Sequence, residues 1–309
     1  MRTLLVVNPA ATTTSPRMRD VLVSALRGAP QIELDVVTTV ARGQAKELGA
    51  QARAEGYELV VTFGGDGTVH EVVNGMLADG PGPDVPALAP LPGGSANVLA
   101  RALGLLNDPI EATGQVLEAL TAGRRRTINV GRADGQWFTV NAGFGLDAEI
   151  IHTMETMRSG GRAATPLRYF TTSTSQFFRS DRKHPRLTVE PDDGAPINGV
   201  FLVIVQNTSP WTYLGPLAVS PSPKASFDKG LDAWCVQSMS FPRAISLVTR
   251  MMRQAKPKPS EGRVALVHDS AGFTVRATEP IPWQVDGEAR PAATQVRFES
   301  VPRALEVVI

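Results

Sequence analysis

The stretch VTFGGDGTVHEVVNGML, residues 61–77, sets three glycines around one aspartate between an apolar run and a helical pattern. VTF reads as the end of a strand and TVHEVVNGML as the start of a helix, so Gly64-Gly65-Asp66-Gly67 is a strand-to-helix turn. Such turns lie at the carboxyl edge of a parallel sheet, where open α/β sheets bind ligands. Glycines there let backbone N–H groups reach phosphate oxygens, and the helix N-terminus adds partial positive charge. An anionic ligand is expected. Asp66 beside an anion calls for an intervening cation, and Mg²⁺ held through water meets that need. A nucleoside triphosphate with Mg²⁺ satisfies both features; the plainer alternative is a tight turn with a capping aspartate.

Outward from this turn the pattern repeats. Strands are expected at residues 3–7, 32–38, 58–63 and 86–91, and helices at 17–27, 43–55, 68–78, 95–103 and 110–121. That alternation predicts a doubly wound, parallel, helix-covered sheet. From about residue 126 strand patterns dominate: 127–132, 136–141, 186–191, 197–206, 231–238, 263–267, 272–278, 281–285 and 294–299. Only 148–158, 166–180 and 242–255 look helical. The fold class expected is α/β plus mostly β: a nucleotide-binding lobe over residues 1–128, and an antiparallel β-rich substrate lobe over 129–299, with the site in the cleft between them. The apolar LEVVI, residues 305–309, reads as a buried strand returning from about residue 300 to the first sheet.

Bulk composition narrows the function. A net charge of +1 excludes the strongly basic balance of a dedicated nucleic-acid binder, so no nucleic-acid partner is expected. The single cysteine, Cys235, sits in an apolar run and reads as a buried thiol in a reducing, cytoplasmic setting. The four histidines lack metal-ligand spacing, so zinc is not expected. The opening MRTLLVVNPAA has an apolar run too short for a signal peptide, and no window approaches a membrane span, so the chain reads as soluble.

A second glycine turn, Gly93-Gly94-Ser95-Ala96-Asn97, also follows a strand and opens a helix, and Asn8-Pro9 ends the first strand. Three loops then face one ligand. No Gly-Lys dipeptide occurs, so this is no P-loop, and GGSAN lacks the closing glycine of a nucleophile elbow. With NPAAT (8–12), GGDGTVHEVVNGML (64–77), LPGGSANVLARALGL (91–105), FTVNAGFGLDAEI (138–150), NTSPWTYLGPLAVSPSPKASFDKGLDAW (207–234) and WQVDGE (283–288), the chain resembles the lipid kinases of the diacylglycerol kinase catalytic-domain type, bacterial diacylglycerol kinases and sphingosine kinases among them. GGDGT is shared with NAD kinases; LPGGSAN and the late DGE separate the two.

The resemblance implies ATP binding by Asn8, Pro9, Ala10, Ala11 and Thr12, by Thr39, by Gly65, Asp66, Gly67, Thr68, Val69, His70 and Glu71, and by Ser95. The family usually has glycine where Thr12 stands. It implies further that Glu288 is the proton acceptor, with Asp66 the competing candidate for the base and a purely structural Asp-Gly turn the plainer reading of the motif. The resemblance also implies that Asp66 and Asp286 organise Mg²⁺ and water, and that Asp147 joins this acidic group. Similar bacterial kinases hold a second, structural Mg²⁺ on an aspartate where this chain has Lys229. Either Asp228 substitutes or that site is changed or missing.

The implied reaction is transfer of the ATP γ-phosphate to a lipid hydroxyl, diacylglycerol to phosphatidic acid first among the options. Other lipids (a sphingoid base, ceramide, phosphatidylglycerol) and an NAD kinase-like soluble phosphotransferase stay open. An oxidoreductase reading of Gly143-Phe144-Gly145-Leu146-Asp147-Ala148 lacks its companion acidic residue. A lipid-binding protein without catalysis is the third alternative. Two basic-apolar segments, 154–186 and 241–258, are candidates for peripheral contact with an anionic membrane surface; a solvated helix face is the plainer reading of each. A homodimer is left open as a partner.

Overall fold

The computed structural model describes residues 1–145, 184–237 and 264–309. The chain divides into two compact units, Met1–Val130 with Pro302–Ile309, and Gly131–Val301. The helical patterns at 148–158, 166–180 and 242–255 lie outside the described residues, as does Asp147.

In the first unit β1 (Arg2–Val7), β2 (Glu33–Thr38), β3 (Leu59–Gly64) and β4 (Ala87–Pro92) pair in parallel in the order β4-β3-β1-β2. Val307, near the end of β16 (Glu288–Val308), pairs in parallel with Leu88 of β4. Leu5, Val7, Leu59, Val61 and Phe63 alternate onto one face, where Leu22 and Leu26 of α1 (Pro16–Arg27) and Ala112, Val116 and Ala119 of α5 (Pro109–Thr121) close the core. Period-2 strands against period-3.6 helices make such a layer. Elsewhere in this unit α2 (Gln44–Ala54) packs on α3 (Asp66–Met76). A Cβ on Gly49 would strike the carbonyl of Val72, and one on Gly75 the carbonyl of Lys46, so the two helices touch backbone to backbone.

The expected helix at 68–78 begins two residues earlier, so Asp66 and Gly67 belong to its first turn. From β1 the chain passes to β2 on one side, while β3 lies on the other. The crevice at the carboxyl ends of β1 and β3 is therefore the topological switch point of the sheet.

The second unit is an antiparallel ladder. β14 (Val264–Ser270), β13 (Leu231–Val236), β10 (Leu202–Gln206), β7 (Asn141–Gly145) and β15 (Gly272–Val285) follow one another, and β15 turns back into β16. Phe273 stacks on Phe298 at 5.4 Å, Phe138 meets Phe298 edge-on at 6.5 Å, and Phe144 completes the aromatic centre. The single strand expected at 197–206 is two, β9 (Ile197–Val200) and β10, with Gly199 at φ +71° just before the break. The strand 141–145 and the hairpin of β11 (Thr212–Leu214) and β12 (Leu217–Val219) were not foreseen.

Candidate functional site

The loops that leave the carboxyl ends of β1, β3 and β4 meet at the switch point. Asn8 donates its N–H to the carbonyl of Phe63 (2.9 Å) and its Nδ2 to Thr68 Oγ1 (2.9 Å), which ties the first loop to α3. Ala10 N–H closes back on Asn8 Oδ1 (3.0 Å), leaving Pro9 and Ala10 exposed. Thr13 N–H donates to the carbonyl of Gly93 (2.9 Å), and Thr12 Oγ1 lies 3.2 Å from Ser95 Oγ. The Thr12 hydroxyl thus contacts the second glycine loop.

The glycines are bare because the loops press on each other. A Cβ on Gly94 would lie 2.6 Å from Gly65 Cα, and one on Gly93 would lie 2.8 Å from the nitrogen of Gly64. A Cβ on Gly64 would fall 2.5 Å from Thr68 Oγ1. Gly93 N–H donates to the carbonyl of Gly64 (2.8 Å). Asn97, left-handed at φ +49°, clamps its own turn by accepting from Gly94 N–H (2.8 Å) and donating to the carbonyl of Gly94 (2.9 Å). Absence of side chains was expected to serve a phosphate; it serves the interlock first.

Asp66 heads α3, but its Oδ1 accepts from the backbone N–H groups of Val98 (2.6 Å) and Leu99 (3.3 Å), the first residues of α4 (Val98–Ala102). It caps a neighbouring helix while its own helix starts on Gly65 with no capping side chain. Glu71 likewise accepts from Gly43 N–H through both oxygens (3.0 and 3.1 Å), fixing the start of α2. Thr39 is buried at the end of β2 and donates to the carbonyl of Val7 (3.3 Å), while Val69 and His70 are each 4% exposed inside the packing of α3. Of the expected nucleotide contacts, Asn8, Thr12, Gly64, Gly65, Asp66, Thr68, Gly93, Gly94, Ser95 and Asn97 come together; Thr39, Val69 and His70 are buried around them, and Glu71 holds the start of α2.

These loops fit a phosphate chain. The first turn of α3 carries no capping side chain, and Thr14 Oγ1 is buried among the loops with no hydrogen-bond partner. Helix N-termini of this kind bind anions.

In the second unit Asp286 and Gly287 form the two-residue turn between β15 and β16, at φ +46° and +82°, and Val285 pairs with Glu288. This is the primed geometry that matches strand twist. The Asp286 carboxylate gathers four donors: Thr139 N–H (2.8 Å) and Oγ1 (3.2 Å) on Oδ2, Val140 N–H (2.9 Å) and Asn141 N–H (3.1 Å) on Oδ1. That occupancy does not fit a metal ligand. Glu288 is half-buried on the first residue of β16.

The loop at Lys229 is shaped by protein groups. Lys229 N–H donates to the carbonyl of Ser226 (3.0 Å), Asp228 N–H to Ser226 Oγ (3.3 Å), and Gly230 N–H to Asp269 Oδ1 (2.7 Å). Asp228 is exposed. Among the described residues no three His, Cys, Asp or Glu side chains gather into a metal site. At Asp66 one carboxylate oxygen is already taken by the N–H groups of Val98 and Leu99, so the described residues offer there no ready-made set of direct metal ligands. The segments 154–183 and 241–258 lie outside the described residues. Among those described, no helix is long and apolar enough to cross a membrane.

Residues 2–133 match the family model of the diacylglycerol kinase catalytic domain. A diacylglycerol kinase of Bacillus subtilis is 33% identical over 120 residues, 39% of this chain and 38% of that protein. A probable lipid kinase YegS-like protein of Chromohalobacter salexigens is 38% identical over 120 residues, 39% of this chain and 37% of its own length. The matched part thus spans little more than a third of these relatives. A solved structure of a diacylglycerol kinase from Bacillus anthracis strain Sterne superposes with a TM-score of 0.73 at 22% identity, over 99% of this chain and 96% of that one, which shows the shared fold.

Proposed function

We propose that this chain, whose residues 2–133 belong to the diacylglycerol kinase catalytic-domain family, transfers the γ-phosphate of ATP to a lipid hydroxyl, with diacylglycerol as acceptor and phosphatidic acid as product. The carrying observation is the interlock of the two glycine loops at the switch point, beside an α3 terminus without a side-chain cap. Asn8, Thr12 and Ser95 orient the phosphates, and the backbone N–H groups at the head of α3 offset their charge. Asp66 would hold Mg²⁺ through water, and the ion would supply neutralisation of phosphate charge. Glu288 accepts the proton of the attacking hydroxyl. Positioning and charge neutralisation then supply the rate, with no covalent intermediate. The names of the relatives support the lipid acceptor. Cytoplasmic, peripheral action at an anionic membrane surface belongs to the same proposal.

Labelled γ-phosphate transfer with Mg²⁺ tests it, using a panel of lipids in mixed micelles and NAD as a soluble alternative. Labelled phosphatidic acid, lowered by ~10²–10⁴-fold in Glu288→Gln, is expected. Labelled NADP without labelled lipid would overturn the lipid assignment. Transfer at the wild-type rate in Glu288→Gln would remove Glu288 as the proton acceptor.

A further inference from the structure

We propose that Asn141 is a positioning residue that sets the direction of the Glu288 carboxylate. Each of its polar atoms is committed. Its N–H donates to Asp286 Oδ1 (3.1 Å) and its carbonyl accepts from Asp286 N–H (2.8 Å). Its Oδ1 accepts from Gln284 Nε2 (2.9 Å), and its Nδ2 donates to the carbonyl of Trp211 (3.1 Å). Gln284, 1% exposed, completes the bracket by accepting Gly287 N–H on its Oε1 (2.8 Å).

The bracket therefore touches each residue of the Asp286-Gly287 turn and the residue two before it. Asp286 sits in the left-handed region, which a non-glycine residue holds only when its surroundings over-determine it. Side chains alternate along a strand, so a one-residue slip of this turn would carry Glu288 to the opposite face of the hairpin. The reciprocal bonds between the Asn141 backbone and Asp286 oppose that slip. The Asn141 side-chain amide adds its own hold by fixing Gln284, whose Oε1 accepts from Gly287 N–H.

The same segment holds a second loop. Asn207 donates its N–H to the carbonyl of Val140 (2.9 Å) and its Nδ2 to the carbonyl of Thr139 (2.9 Å), and Asn141 reaches Trp211 at the far end. Residues 139–141 thus fix the turn of Glu288 and the loop 207–211 to one frame. Displacing that frame moves both, and misplacement of a reacting group by about 1 Å costs on the order of 100-fold in rate.

This inference rests on Glu288 being the proton acceptor. Its test is a cycle on the full chain, with transfer from ATP to diacylglycerol measured for Asn141→Ala, Glu288→Gln and the double variant. Asn141→Ala keeps both backbone bonds to Asp286 and removes the side-chain bonds to Gln284 and Trp211. It is expected to lower kcat by roughly 10–100-fold with the KM for ATP changed less than about twofold, and to add no loss in the Glu288→Gln background. Asn141→Asp keeps the acceptor for Gln284 and loses the donor to Trp211, so an intermediate loss is expected. Thr139→Val removes one bond to Asp286 at constant shape and is expected to lower kcat a few-fold; these two carry the test if Asn141→Ala does not fold. Wild-type kcat in Asn141→Ala, or losses that multiply in the double variant, would overturn the inference alone. Wild-type turnover in Glu288→Gln would overturn the proton-acceptor reading and this inference with it.

Discussion

Gly94 meets Gly65 where a side chain on Gly94 has no room, and that contact can be read separately from ligand binding. A methyl group on Gly94 points at Gly65 Cα. Gly94→Ala is expected to destabilise the first unit by about 1–3 kcal/mol, the usual cost of overpacking, and to abolish the thermal shift produced by ATP with Mg²⁺. Denaturant midpoints with and without nucleotide check both; an unchanged midpoint would show that the loops can part. Asp286 is marked by the sequence while its work stays hidden there. The DGE motif marks the position, yet its partners lie at Thr139, Val140 and Asn141, up to 147 residues away. Asn141 closes the strand expected over 136–141, and nothing in the sequence ties it to a turn at residues 286–287.

At the scale of elements, Asp66 separates stability from chemistry. As the cap of α4 it is replaceable by asparagine, which caps equally well, whereas alanine is expected to cost ~1 kcal/mol. Asp66→Asn is therefore expected to keep the wild-type denaturation midpoint and lose roughly 10–100-fold in phosphate transfer through the missing charge. Equal loss of stability in both variants would assign Asp66 to the fold alone. The strands and helices of the first unit were legible because β-branched runs, glycine turns and apolar periods agree there. Ser15 before Pro16 and Asp108 before Pro109 even mark helix starts, each accepting from first-turn N–H groups. Agreement failed in the second unit. β7 is Asn-Ala-Gly-Phe-Gly, poor in β-formers, and β16 carries Pro291 and Pro302, so its 21 residues read as separate pieces.

For the molecule as a whole, Cys235 reports opening. It lies fully buried in the core of the second unit, and burial pushes its thiol up to about 12 from an ordinary 9.0. The folded chain should resist an aromatic disulfide reagent at pH 8 and react once in denaturant, so the rate of modification measures unfolding. Prompt stoichiometric reaction of the native chain would contradict the burial. Between pH 9 and 12 the unfolded thiol ionises while the folded one keeps its proton. Stability from this group is complete below pH 9 and falls as pH rises, a slope that Cys235→Ala should lack.

The strand that closes on β4 adds a consequence for how the protein is made. Pro302–Ile309 belong with the first unit, yet they follow all of Gly131–Val301 in the chain. While the ribosome builds the second unit, β4 presents backbone donors and acceptors that β16 has yet to cover, a template for pairing with other chains. The glycine loops that follow β3 and β4 are thus translated early, and their sheet is completed late. Their unit is not a contiguous cassette to be cut after Val130 and moved elsewhere, and nascent chains stalled between the two boundaries are the ones most exposed to chaperones and aggregation.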